Sequence, residues 1–263
     1  MEDYQMKNFT NNLLKISISL SGVILVVIIW SLFSRSLNPL ILPSPVEVGR
    51  AILELARSGE LGKNFLITFR RTLVGFAIAF FFGISIALLM KKNLFFRQIF
   101  KPLVTFVQTT PPVVWLVLSM IWFGLAQELT PVFIIFIVVF PIVHINFLEG
   151  LESFDTELIQ MAQVFGSKRR RILFHILLPG MSPLIISSAR VGLAFAWKST
   201  VLAEFLGSSS GIGFMLSTAN SLLDTSQVFA WALILILAML GLEYLVIDPV
   251  RGRVNRWIKC AGS

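Results

Sequence analysis

The sequence predicts an all-α, polytopic membrane protein with six transmembrane helices, and two observations carry that prediction. Of the 263 residues, 56% are hydrophobic and 14% charged, against about 25% charged in an ordinary soluble domain. The mean hydropathy is +0.84. A soluble chain of this size has too little interior to bury so much apolar surface, so lipid must serve as its second solvent. The apolar residues are also gathered into six runs, each close to the ~20 residues that a bilayer crossing needs.

Residues 13–33 form the first run. Lys7 and Lys15 precede its apolar part, residues 16–33, as they would in a signal peptide, but no small-residue cleavage site follows, so it reads as a retained helix. Pro39, Pro43 and Pro45 come next, with Ser44 placed to cap a helix that has Pro45 in its first turn. Val46, Ala51, Ile52, Leu55 and Ala56 then recur at helical spacing. They predict a short amphipathic helix on the outer surface, ended by Ser58-Gly59.

The second span is residues 65–90, with Arg70 and Arg71 in its first turns and Lys91 and Lys92 closing it. A short loop holding Arg97 and Lys101 leads to the third, residues 103–124. Gln108, Thr109, Thr110, Pro111 and Pro112 interrupt this span, with Trp115 just beyond. Prolines remove backbone donors, and a break at membrane depth requires protein or a watery cavity to satisfy the freed groups. The break reads equally as part of a solute gate or as a proline kink. The fourth span is residues 131–147, the fifth 181–206 and the sixth 228–247, with a Gly/Ser-rich connector over 207–226. The chain thus divides into an N-terminal part (1–60), a core (61–248) and a basic tail (249–263).

Cations set the orientation. Lys7 and Lys15, then Lys91, Lys92, Arg97 and Lys101, then Lys168 to Arg171, then four in the tail all fall on one side of a six-span chain. The loops after spans three and five hold none. By the positive-inside rule both termini lie in the cytoplasm. The first outer loop, with Arg35, Arg50, Arg57 and Lys63, is long and weighs less. The net charge of +8 therefore marks topology, and nucleic acid is not an expected partner.

Several chemistries are disfavoured. There is no G-x-x-x-x-G-K-[ST] loop for nucleotide phosphates. His144 and His175 are the only histidines and Cys260 the only cysteine, which leaves neither a catalytic triad nor a metal-ligand cluster. His144 and Asn146 read as ordinary interface polars. No catalytic residue, metal or cofactor is expected in this chain.

Charges inside spans cost about 2.5–3.5 kcal/mol on insertion scales and are functional candidates by default. The fifth span carries Arg190, Lys198 and Glu204, with Trp197 beside the lysine. Arg190 and Lys198 are two turns apart on roughly one face, and Glu204 is displaced around the axis. They read either as a cationic path for an anionic solute or as structural ion pairs with a neighbouring helix, for example through Glu243.

The most informative stretch is the polar interruption before the fifth span, residues 157–183. It reads as a short helix, a glycine break at Gly166 and a basic junction, Lys168 to Arg171, with the membrane surface. Gln160-Met161-Ala162, Gly166 and Ile176-x-Leu178-Pro179 follow one another at a fixed spacing. That spacing resembles the coupling-loop signature of ABC importer permeases, EAA-x3-G-x9-I-x-L-P, with Gln160 at the acid position and Met161 at the first alanine. LPSPVEV at 42–48, PPVVWLVLSMIWFGL at 111–125 and RVGLAFAWKSTVLAEFLGSSSGIGFML at 190–216 resemble the type I branch that imports nitrate, sulfonates, taurine, bicarbonate and thiamine precursors.

The resemblance implies a type I permease fold and an inner-membrane location. It also implies two permease copies, two cytoplasmic ATPase subunits that bind ATP and Mg, and an extracytoplasmic solute-binding protein. Gln160, Met161, Ala162, Gly166, Ser167, Ile176 and Pro179 would make the ATPase-coupling contact, near residues 153–170, with an extended link up to Pro179. Gln108, Thr109, Thr110, Trp115, Arg190, Trp197, Lys198 and Glu204 are the translocation-path candidates. An ion-coupled secondary transporter that needs no ATPase is the competing reading. The absence of an inverted repeat and the scarcity of intramembrane acids weigh against it.

Overall fold

The computed structural model describes residues 21–124, 128–153 and 156–244, and among these it is helical without strands. The helices are α1 (Ser21–Ser36), α2 (Pro45–Arg57), α3 (Glu60–Lys92), α4 (Leu94–Thr109), α5 (Pro112–Phe123) and α6 (Leu129–Ser153). They are followed by α7 (Thr156–Val164), α8 (Arg169–Ile172), a π-helical turn (Leu173–Leu177), α9 (Leu178–Gly207), α10 (Ile212–Ser221) and α11 (Thr225–Leu242). Four described helical segments are long and apolar enough to cross a bilayer, and the bent α4–α5 pair makes a fifth. The described part of the expected first span is α1, and its residues 13–20 lie outside the described set, as do residues 245–247 of the sixth.

The centre of the bundle is α3 against α6 and α9. A stripe of small residues at four-residue spacing on α3, Gly75, Ala79, Gly83 and Ala87, is buried throughout. It lets α6 approach closely, so Ile135, Val139, Phe140 and Val143 pack against α3 and α9. Without a hydrophobic drive between helices in lipid, close backbone contact of this kind is what holds spans together. At one end Ala87, Phe147, Leu151 and Met181 join, and the Lys91 ammonium donates to the Leu151 carbonyl at 3.2 Å. Hence α3 and α6 run parallel and α9 antiparallel to both.

Four expectations are corrected. Arg97 and Lys101 lie on α4 rather than in a loop, because Asn93 caps that helix by accepting from the Phe95 N–H at 2.9 Å. Residues 207–226 are not a bare connector but enclose α10, and Asp224 caps α11 through the Gln227 N–H at 3.0 Å. The amphipathic helix α2 has the expected Ser44 cap, which Glu47 completes into a capping box. Its Val48, Ala51 and Leu55 are nevertheless buried against Ile212, Ala219, Ala230, Trp231 and Ile234. It therefore packs on protein. The link to Pro179 is helical: a single apolar rod runs from Arg170 to Gly207, and its π turn takes up the extra residue within the helix.

The break in the third span is sharp, with α4 and α5 inclined at 98°. Thr110 is extended (φ −73°, ψ 126°), the conformation that a following proline imposes. The exposed carbonyls find local donors. Phe106 O accepts the Thr110 N–H at 3.2 Å and the Thr110 hydroxyl at 2.8 Å. Thr109 donates to Thr105 O at 2.9 Å, and the Trp115 indole to Val107 O at 3.4 Å. Thus α4 and α5 together return the chain to the end where α6 begins.

Candidate functional site

Two sites stand at opposite ends of the bundle. At one end α7 is a two-turn helix whose C-terminus closes in a Schellman motif. The Ser167 N–H reaches the Ala162 carbonyl at 3.0 Å and the Gly166 N–H the Gln163 carbonyl at 2.9 Å. Gly166 has φ +73°, the left-handed region in which a β-carbon costs roughly 1–2 kcal/mol. The turn leaves Ala162 buried and Gln160 exposed, with Met161, Val164 and Phe165 at 55%, 85% and 80% exposure. A run of apolar side chains thus stands exposed on a polar segment outside the spans. Beside it Gly166, Lys168, Arg170, Arg171, Phe174 and His175 line an open groove of about 620 Å³. The Arg170 guanidinium stands 5.9 Å from the Phe174 ring centroid. Ile176 sits half-buried in the π turn, and Pro179 occupies the first turn of α9.

The path candidates separate. Arg190 is ion-paired with Glu243 on the neighbouring helix, as the structural alternative expects. Trp197 is buried, its ring 6.4 Å from that of Phe65. Lys198 is exposed, its ammonium 5.7 Å from the Phe195 ring centroid. Val191, Phe195 and Leu206 are exposed on the same helix, so this lysine stands on an otherwise apolar face of α9. Gln108 and Thr109 are exposed at the end of α4.

Glu204 belongs to a buried network at the other end, and its chief partner, Arg71, was not singled out from the sequence. Both residues are at most 2% exposed. Arg71 uses all five N–H donors of its guanidinium. Nη1 meets Glu204 Oε1 at 2.9 Å and Ser210 O at 2.7 Å. Nη2 meets Glu128 Oε1 at 2.7 Å and Ser210 Oγ at 3.0 Å, and Nε meets Glu128 Oε2 at 3.2 Å. Glu204 Oε2 accepts from the Thr68 hydroxyl at 2.8 Å and the Gly213 N–H at 3.1 Å. Thr68 and Asn64 in turn accept the Ile212 and Gly211 N–H groups at 2.9 and 3.0 Å. The start of α10 is thereby tied to α3.

Glu128, at the head of α6, is 55% exposed and also takes Arg70 at 2.8 Å. The Arg71 hydrogen bonds hold its carboxyl below the usual carboxylate range. Gly213 is required by contact: a β-carbon there would meet the Val201 carbonyl at 2.5 Å. The signal for Arg71 lay in the sequence, since it is a charge within an apolar span like Glu204. Spacing within one helix could not name its partners on two others.

His144, expected at an interface, is instead 2% exposed between α6 and α3, with Nδ1 3.4 Å from the Gly83 carbonyl. The near-absence of side chain on that face of α3 makes the room for it.

Comparison with known proteins shows the family. Residues 79–259 match the family described as binding-protein-dependent transport system inner membrane component. The chain is 34% identical to a putative ABC transporter permease protein of Methanocaldococcus jannaschii, over 85% of this chain and 84% of that one. It is 30% identical to the taurine transport system permease protein TauC of Escherichia coli, over 88% of each. It is 28% identical to the bicarbonate transport system permease protein CmpB of Synechococcus elongatus, over 96% of this chain and 93% of that one. Among solved structures, an inward-facing MetNI methionine ABC transporter chain superposes with TM-score 0.57 at 16% identity, covering 74% of this chain and 93% of that one. That last likeness concerns the fold.

Proposed function

Because the chain belongs to the family of binding-protein-dependent transport system inner membrane components, we propose that it moves a small anionic or polar solute of the sulfonate, taurine or bicarbonate kind into the cell. It is an ABC importer permease, a transport subunit of the inner membrane. In our reading it works by alternating access, and separate ATPase subunits bind ATP and Mg. A second permease copy completes the pathway, and an extracytoplasmic binding protein delivers the solute. The taurine, sulfonate and bicarbonate permeases among its relatives support the solute class.

The observation that carries the mechanism is α7 with its Gly166 turn. It presents Met161, Val164 and Phe165 to solvent beside a basic groove. Both termini and α7 would face the cytoplasm, where the cations gather. Docked in an ATPase groove, α7 would pass ATP-driven closure to α6 and to the rod that begins at Arg170, since it is covalently joined to both. Lys198 would meet an anionic solute, and its exposure on the apolar face of α9 supports that reading. The test is Gly166→Asp in the reconstituted complex. ATP hydrolysis should persist while uptake is lost, and normal uptake would refute the coupling role.

A further inference from the structure

At the α7 end of the bundle, α4 and α6 leave a cavity of about 270 Å³ between them. Arg97 and Lys101 enter it from one face of α4, and His144, Glu149 and Glu152 from one face of α6, over a floor that includes the buried Met90 and Val104. Arg97 and Glu152 are occupied with each other at 2.7 Å. Among the described residues, the Lys101 ammonium and the Glu149 carboxylate make no ion pair or hydrogen bond. His144 is 2% exposed and spends Nδ1 on the Gly83 carbonyl. Its other ring nitrogen has no partner among the described residues. That nitrogen opens on a cavity that also offers one free cation and one free anion.

We propose that this cavity binds a small zwitterion, a molecule or headgroup carrying an oxyacid anion and an ammonium a few bonds apart. The anion lies against Lys101 and His144, and the ammonium against Glu149. The volume lies just below the range of ligand pockets, about 300–1,000 Å³, which favours a ligand of few heavy atoms. Two sources share this chemistry: a free aminosulfonate or amino acid, and the headgroup of phosphatidylethanolamine.

The test uses the full chain with its ATPase partners in nanodiscs and needs neither ATP nor transport, so it stands apart from the uptake experiments. In phosphatidylcholine discs, taurine is titrated by calorimetry, with methanesulfonate and ethylammonium as single-charge probes. In a second arm, phosphatidylethanolamine retained by the complex is counted by native mass spectrometry. Saturable taurine binding supports the free-solute source when each single-charge probe is at least tenfold weaker and Lys101→Met/Glu149→Gln weakens taurine binding at least tenfold. Phosphatidylethanolamine retained by the natural chain and lost from that double variant supports the lipid source. Both substituted residues are exposed, and an unchanged melting temperature without ligand shows that the variant is folded. Binding in neither arm, equal binding by the variant, or methanesulfonate binding as tightly as taurine overturns the proposal.

Discussion

Replacing Arg71 by methionine should destabilise the chain by about 3–5 kcal/mol, the cost of stranding one member of a buried ion pair. The structure assigns most of that to Glu204. It is wholly buried, and without Arg71 it keeps only the Thr68 hydroxyl at 2.8 Å and the Gly213 N–H at 3.1 Å. Glu128, at 55% exposure, falls back on water and Arg70, so its loss should contribute at most about 1 kcal/mol. Glu204→Gln should be milder, roughly 1–3 kcal/mol, because Arg71 retains Glu128 and Ser210. In the double variant the stranded charge is gone, and its cost should fall well short of the sum. A double-mutant cycle on purified chain, read from denaturant unfolding followed by tryptophan fluorescence, measures this coupling. Additive single costs, or an Arg71→Met variant within about 1 kcal/mol of the natural chain, would show that the pair contributes nothing specific.

Three further outcomes are expected. Lys198→Ala should lower uptake of an anionic solute by reconstituted complexes without impairing assembly, and unchanged uptake would remove this lysine from the path. The Glu128 carboxyl is held below its ordinary value of 4.5 by Arg71, so its contribution is present above pH 4.5 and is lost as pH falls through the lowered value. Unfolding midpoints followed into acid should therefore decline less steeply in Glu128→Gln. Ser44→Ala removes the hydroxyl that accepts the Glu47 N–H at 3.3 Å and should cost about 0.5–2 kcal/mol, measured by the same unfolding assay.

What the sequence determined by itself follows from short-range rules. Runs of apolar residues become membrane spans because backbone polar groups must be satisfied within the segment. Thr110-Pro111 breaks a helix because a proline disfavours the helical conformation of the residue before it, and Gly166 ends α7 because the left-handed turn disfavours a β-carbon. The helix and glycine turn of α7 were legible for that reason: their residues are neighbours along the chain.

Tertiary structure alone decided the partners. Arg190 pairs with Glu243, but Glu204 pairs with Arg71, 133 positions away, and no periodicity within α9 distinguishes these fates. Likewise the apolar stripe of α2 met protein instead of lipid or water, because α10 folded out of a segment that reads as a connector. His144 went inward because the small residues of α3 left room beside Gly83. In each case the deciding quantity is which groups the packed helices bring into contact with one another. Spacing along one helix states only which face they share.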